Sequence, residues 1–160
     1  MKIRVGNGFD VHELVDGDAI TLCGLTIPHT KKLLGHSDAD VALHALTDSI
    51  FGALCEGDIG IHFPPDENEW KGADSKIFLR KALSIMHQLH YSISNLDITI
   101  ICEAPRIKEH ATAMRENIAT ICKIKLNQVS IKGTTSEQLG FTGRQEGIAA
   151  FATICLEKNA

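Results

Sequence analysis

The stretch ADVALHALTDSIFGALCEG, residues 39–57, limits the possible folds more than any other part of the chain. It is alanine-rich and apolar nearly all round, with helical spacing from about residue 38 to 54 and a stop near Gly57. A helix of that kind has to be buried. Its polar residues Asp40, His44 and Asp48 fall four apart and share one face, and polar groups inside an apolar helix need a partner. Ser37 with Asp40 three residues on resembles a capping box, which places His36 just before the helix and His44 in its second turn.

A partner is available in GNGFDVHEL, residues 6–14. If this segment is extended, Asp10 and His12 project from one face while Phe9 and Val11 take the other. Asp10, His12 and His44 then make a three-ligand zinc site with an open fourth position for a substrate oxygen, the pattern of catalytic zinc. Asp40 or Asp48 could orient the imidazole. Spacing alone leaves the plainer alternative open, with His44 a satisfied core histidine and Asp10 a surface charge.

Residues 2–11 and 19–27 read as strands separated by the DGD turn, and PHTKKLLGHS as a loop before the helix. After the long irregular stretch EGDIGIHFPPDENEWKGADS, residues of about 75–90 keep helical spacing. SNLDITIIC alternates as a strand, 107–122 reads as a third helix, and strands near 128–132 and 147–157 close the chain. The order β-β-α-α-β-α-β-β, without repeats, predicts a single α+β domain over residues 1–160, one sheet with helices on one face.

At 160 residues the chain can bury a core without disulfide or metal support. A net charge of −4 with no block of like charges argues against nucleic acid as a partner. Five widely spaced cysteines without a CxxC pair fit reduced thiols. No window approaches a membrane span, and the first residues lack the apolar stretch of a signal peptide, so the expectation is a cytoplasmic protein, although a processed organellar one would look the same.

A second constellation, IKGTTSEQLGFTGR at 131–144, follows a strand. Thr134 and Glu137 fit a capping box, Gly133 permits close backbone approach, the Thr134 and Thr135 hydroxyls can donate to phosphate, and Glu137 could hold Mg²⁺. A capped turn between strands is the alternative. CEAPRIK (102–108) could offer backbone groups to a base and Arg106 to a phosphate, and GDIGIHFPPDE (57–67) could wrap a sugar, though both are ordinary loops by default. No P-loop, dinucleotide fingerprint or serine triad is present.

The segments GFDVH, HSDADVALHALTD, GDIG, FP, KGADS, APR and TTSEQLGFTGR, in this order along the full chain, resemble the 2-C-methyl-D-erythritol 2,4-cyclodiphosphate synthase family of the non-mevalonate isoprenoid pathway. The resemblance implies a single mixed sheet in a homotrimer, with sheets toward the threefold axis and active sites between subunits. Each site would hold one Zn²⁺ on Asp10, His12 and His44 and a second ion, Mg²⁺ or Mn²⁺, near Glu137. The implied substrate is 4-diphosphocytidyl-2-C-methyl-D-erythritol 2-phosphate, which closes to a cyclic diphosphate and expels CMP.

His36 and Thr135 match the family's transition-state stabilisers. Implied substrate contacts are Asp10, His12, His36, Ser37, Asp58, Ile59 and Gly60, the loop Phe63, Pro64, Pro65, Asp66 and Glu67, and the turn Cys102, Glu103, Ala104, Pro105, Arg106, Ile107 and Lys108. Thr134, Thr135, Ser136, Glu137, Phe141 and Arg144 complete them. The chain departs from the common pattern at Pro65, where an acid is frequent, and at Cys102, Ile107 and Lys108, which suggests backbone contacts there. Phe9, Phe141, Arg144 and Glu146 could instead line a central cavity for an isoprenoid diphosphate. Rival readings are a zinc hydrolase with His36 or Asp48 as base, and a non-catalytic metal-stabilised trimer that binds a nucleotide or isoprenoid.

Overall fold

Alternation of polar and apolar side chains does not stop at residue 11, and strand β1 spans Ile3–Asp16. The computed structural model describes residues 2–64 and 68–159. Segment 19–27 is not one strand. Cys23 and Gly24 have φ of 52° and 75°, and two successive left-handed residues give the tight turn of a hairpin, β2 (Ala19–Leu22) with β3 (Leu25–Pro28). KKLL, within the stretch expected to be loop, forms β4 (Lys31–Leu34) along the end of β1.

The apolar helix is α1 (Val41–Leu54), buried on nearly every side. The short α2 (Ile59–His62), α3 (Lys76–Gln88), β5 (Tyr91–Ile101), α4 (Ile107–Cys122), β6 (Val129–Thr134), the single turn α5 (Gly140–Gly143) and β7 (Gly147–Lys158) follow. No helix among the described residues is long and apolar enough to cross a membrane.

Five strands form one mixed sheet in the order β4-β1-β7-β5-β6, where β5 and β6 run parallel through the α4 crossover and the other pairs are antiparallel. The β2–β3 hairpin is a separate two-stranded sheet, so the single sheet expected holds for the main layer only. Register aligns Asp10 with Ala150, Ala150 with Ile100 and Ile100 with Gly133, and aligned residues of neighbouring strands share a face. A side chain at Gly8, on that face, would meet Ala45 of α1, and one at Gly133 would meet Ile107 of α4. Both helices therefore cover one face, as expected. On the other, Val5 is 64%, Phe9 58% and Phe151 42% exposed.

The expected capping box is not formed. Ser37 Oγ accepts from Ala39 N, and the N-cap of α1 is Asp40, whose Oδ1 accepts from Leu43 N and Cys23 N, both at 3.0 Å. Its Oδ2 accepts from Gly24 N at 2.6 Å, so this fully buried carboxyl holds the hairpin turn against the helix. Asp48 Oδ1 accepts from Ile59 N at 2.8 Å, tying α2 to α1. Neither aspartate reaches His44 as an orienting partner. Both are spent on backbone donors.

Burial pushes the Asp40 carboxyl up from 3.8 to about 6; the three backbone donors oppose that rise and the Asp38 charge adds to it. The folded state thus holds this proton more tightly than the unfolded chain does. Its stabilising contribution is complete below about pH 4 and is lost as pH rises through about 6, roughly 3 kcal/mol in all. Unfolding free energies measured at about pH 4 and 7 should fall by that much more in the wild type than in Asp40→Asn, whatever the variant's absolute stability. Equal slopes would show that Asp40 does not titrate in this range.

Candidate metal centre

Strand alternation and helical spacing meet where the sequence suggested. Asp10 Oδ2 lies 3.0 Å from both His12 Nε2 and His44 Nδ1, and the two ring nitrogens lie 3.0 Å from each other. Among the described residues this is the one cluster of three or more metal-ligating side chains. Each ring's other nitrogen has its own partner. His12 Nδ1 donates to Leu34 O at 2.9 Å, and His44 Nε2 lies 2.8 Å from Ser75 Oγ and 3.1 Å from Ser37 Oγ. The expected orienters Asp40 and Asp48 are thus replaced by Ser75, which in turn donates to Asp38.

Burial opposes the charge on Asp10, but hydrogen bonds from His12 and His44 outweigh it and hold the carboxyl well below its ordinary range. Burial likewise favours neutral His12, yet the Asp10 bond wins and raises its pKa. The cluster is therefore a place where positive charge is stabilised. One carboxylate and two imidazoles with their outer nitrogens tied down are a donor set that fits a divalent zinc ion.

His12 and His44 of the triad line a pocket of about 370 Å³ together with His36, Ser37, Ile59, Gly60 and Phe63, all anticipated, while Asp10 stands behind them outside the lining. Asn68, Trp70, Lys71 and Phe78 line it too and were missed. Phe63 meets Trp70 edge-on at 4.9 Å and Phe78 at 4.6 Å, closing one wall. The sole tryptophan, set in the long irregular stretch, was the available signal, since so large a side chain there needs something to pack on. Asp58 caps α2 through Ile61 N, and Pro64 is not part of the lining. Pro65, Asp66 and Glu67 lie outside the described residues.

A second pocket of about 480 Å³ lies where β5 and β6 end and α4 begins. Cys102, Glu103, Pro105, Arg106, Ile107, Lys108, Thr134 and Thr135 line it, with Lys132 and Gly133 beside them. The close approach expected of Gly133 is real, since a Cβ there would lie 2.5 Å from Ile107 Cβ. Burial, aided by the Glu103 charge, pushes the Cys102 thiol up to about 11, so it lines the pocket as a neutral group.

The two pockets share no lining residue. Asp10 and Gly133 stand at the two ends of one register row, three strand spacings or roughly 14 Å apart. Ser136, Glu137, Phe141 and Arg144 belong to neither lining, and Ala104 sits within the turn without lining it. The capping box of Thr134 and Glu137 is absent as well. Thr135 Oγ1 accepts from Glu137 N, and Glu137 and Gln138 adopt left-handed φ of 54° and 63°. Arg144 is engaged by Glu146 through two bonds of 2.9 and 3.1 Å.

The chain matches the model of the YgbB family over residues 3–157. It is 57% identical over 156 residues to a 2-C-methyl-D-erythritol 2,4-cyclodiphosphate synthase of Cereibacter sphaeroides, covering 98% of both chains. It is 58% identical to the bifunctional enzyme IspD/IspF of Paracoccus denitrificans, with 99% of this chain covered but 42% of that protein. The chain thus spans less than half the length of that bifunctional relative. Among solved structures, bifunctional IspDF from Campylobacter jejuni superposes with a TM-score of 0.95 at 37% identity, over 99% of this chain and 43% of that one. IspF of Plasmodium falciparum, in a CDP complex, superposes with a TM-score of 0.88 at 37% identity, over 99% and 97%.

Proposed function

This chain belongs to the YgbB family, and from that premise we propose that it converts 4-diphosphocytidyl-2-C-methyl-D-erythritol 2-phosphate into 2-C-methyl-D-erythritol 2,4-cyclodiphosphate and CMP, a step of isoprenoid precursor synthesis. The reaction class is phosphorus–oxygen lyase and the compartment the cytoplasm. The observation that carries the reading is the convergence of Asp10, His12 and His44 on a pocket that also presents His36 and Ser37.

Closure of a cyclic diphosphate needs the 2-phosphate held in line with the diphosphate while charge builds on the phosphoryl oxygens. Zinc held by Asp10, His12 and His44, and magnesium or manganese at Glu137, supply Lewis-acid stabilisation of that charge when bound. The rest falls to the chain's own groups. Ser37 Oγ accepts from Ala39 N and faces the His44 Nε2–H, which leaves its own proton to donate to a phosphate oxygen. His36 stands beside it as a second donor. The aromatic wall of Phe63, Trp70 and Phe78 shields the methylerythritol from water.

The turn at 102–106 and the backbone of 132–135 offer a cradle for cytidine, with Arg106 and Lys108 for the diphosphate, while Lys132 is paired with Asp97. Because that cradle stands at the other end of the register row, a substrate bridging both sites is best served by the cradle of a neighbouring subunit. A homotrimer with its sheets toward the threefold axis supplies it and covers Val5, Phe9, Val11 and Phe151. In such a trimer Phe9, Phe141, Arg144 and Glu146 would border a central cavity for an isoprenoid diphosphate, a role tested by loss of farnesyl diphosphate binding in Arg144→Ala.

Phosphorus NMR of the protein with this substrate, zinc and magnesium tests the reaction. Cyclic diphosphate and CMP in equal amounts are expected, and untouched substrate with zinc-loaded protein would overturn the assignment. Mixing inactive His44→Ala and inactive Thr135→Ala chains, unfolded and refolded together, should restore part of the activity if sites are shared between subunits. Absence of any rescue would place each site within one chain.

A further inference from the structure

Ser75 is the N-cap residue of α3, and a serine at that position ordinarily spends its hydroxyl on the first turn of its own helix. Here it does not: there is no side-chain cap bond. Asp74 accepts from the first turn instead, its Oδ1 from Lys76 N at 2.9 Å and its carbonyl from Ile77 N at 2.9 Å. The Ser75 hydroxyl, fully buried, is diverted to His44 Nε2 at 2.8 Å and to Asp38. Asp38 is fixed in turn, since its Oδ1 accepts from Asp40 N at 3.1 Å and its Oδ2 from Ser75 N at 3.2 Å.

We infer that Ser75 and Asp38 are positioning residues that hold the His44 ring with its Nε2–H donating to Ser75, so that Nδ1 stays aimed at Asp10 and His12 as the nitrogen for a metal ion. The proposal rests on the metal-centre reading above. The Ser75 hydroxyl donates to Asp38, which leaves the Ser75 oxygen to accept from His44. With Nδ1 given to a metal ion the ring would keep one N–H, on Nε2, and Ser75 is the acceptor that arrangement needs. Ser37, 3.1 Å from the same nitrogen and 3.4 Å from Ser75 Oγ, does not enforce this arrangement, because its hydroxyl can donate as readily as accept. The relay joins three parts of the chain that are distant in sequence: the segment before α1, α1 itself and the start of α3. His12 is set by a different device, the Leu34 carbonyl.

Nitrogen NMR of the zinc-loaded protein reads the His44 Nε2–H and its exchange with solvent, and zinc affinity follows from competition with a chelator. The wild type should show a slowly exchanging His44 Nε2–H. Ser75→Ala should speed that exchange and bind zinc about 10- to 100-fold more weakly, with the fold checked by its unfolding midpoint. Asp38→Asn lets the amide donate to Ser75, whose own proton then turns against the His44 Nε2–H, and should give a comparable loss. If Ser75→Ala does not fold, Ser75→Cys keeps the volume with a poor hydrogen-bonding partner and carries the same expectation. An Nε2–H that exchanges as slowly as in the wild type, with zinc affinity within about twofold, would overturn the proposal. Neither readout needs substrate, so a failure to make cyclic diphosphate would sink the functional reading and leave these two results standing.

Discussion

Replacing His44 by alanine is expected to leave a folded protein that neither retains zinc nor closes the cyclic diphosphate. The imidazole is one of three groups within 3.0 Å of one another, and its loss leaves Asp10 and His12 as a two-ligand remnant. Two ligands on one strand face do not complete a coordination set. Losing a single preorganised charge-stabilising group lowers turnover about 10²–10³-fold, and removal of the metal with it should exceed that. The stability loss should be smaller, within about 0.5–3 kcal/mol, because the ring is only partly enclosed and rests on Phe78 at a 5.8 Å centroid distance. Metal analysis after dialysis, a turnover assay and an unfolding curve on one preparation separate the three effects. Zinc lost with turnover intact would remove the metal from the mechanism.

The largest effect on stability is expected at Gly8. A Cβ built there would lie 2.0 Å from the backbone oxygen of Ala45 and 2.9 Å from Ser49 N, and Gly6 faces Ser49 O in the same way. Helix α1 thus rests directly on the β1 backbone, which is how His44 comes within reach of Asp10. Gly8→Ala forces the helix outward, and since the obstructing atoms are backbone they cannot rotate aside. A loss of about 3 kcal/mol or more follows, at the upper end of overpacking costs, and lowers Tm by roughly 6–12 °C in a chain of this size. Gly52 on the same helix is the control. Its nearest obstacle is Asn7 O at 3.6 Å, ordinary contact, so Gly52→Ala should stabilise by up to about 1 kcal/mol through helix propensity. Thermal unfolding of both variants tests the pair, and similar Tm changes would mean that α1 is not seated as described.

The triad of Asp10, His12 and His44 was suggested by short-range periods, two residues apart on a strand for Asp10 and His12 and an isolated imidazole in an apolar helix for His44. Spacing left a core histidine and a surface charge as the alternative, and the family resemblance decided between them. Helices α1, α3 and α4 were legible from their period alone, each being 13 residues or more. Elements β4, α2 and α5 are four residues each, too short to leave a period, and were missed, as was the turn at Cys23 and Gly24 that splits segment 19–27 into β2 and β3. The polar face Asp40, His44 and Asp48 was correctly seen but wrongly shared out, because spacing cannot tell a metal-orienting carboxylate from one spent on backbone donors. The actual partners, Ser75 and Asp38, stand 31 and 6 residues from His44 in a mixture of loop and helix cap, and no local pattern connects them. The departure noted at Ile107 became interpretable once Gly133 was found against it, a contact between strand and helix ends that depends on the crossover.

The most direct test of intramolecular phosphoryl transfer is to run the reaction in heavy-oxygen water and examine both products by mass spectrometry. Attack by the substrate's own 2-phosphate uses no solvent oxygen, so CMP and the cyclic diphosphate should both carry oxygen of natural mass. One heavy oxygen in CMP or in a linear phosphate would show that water is the nucleophile, and the centre formed by Asp10, His12 and His44 would then be that of a hydrolase.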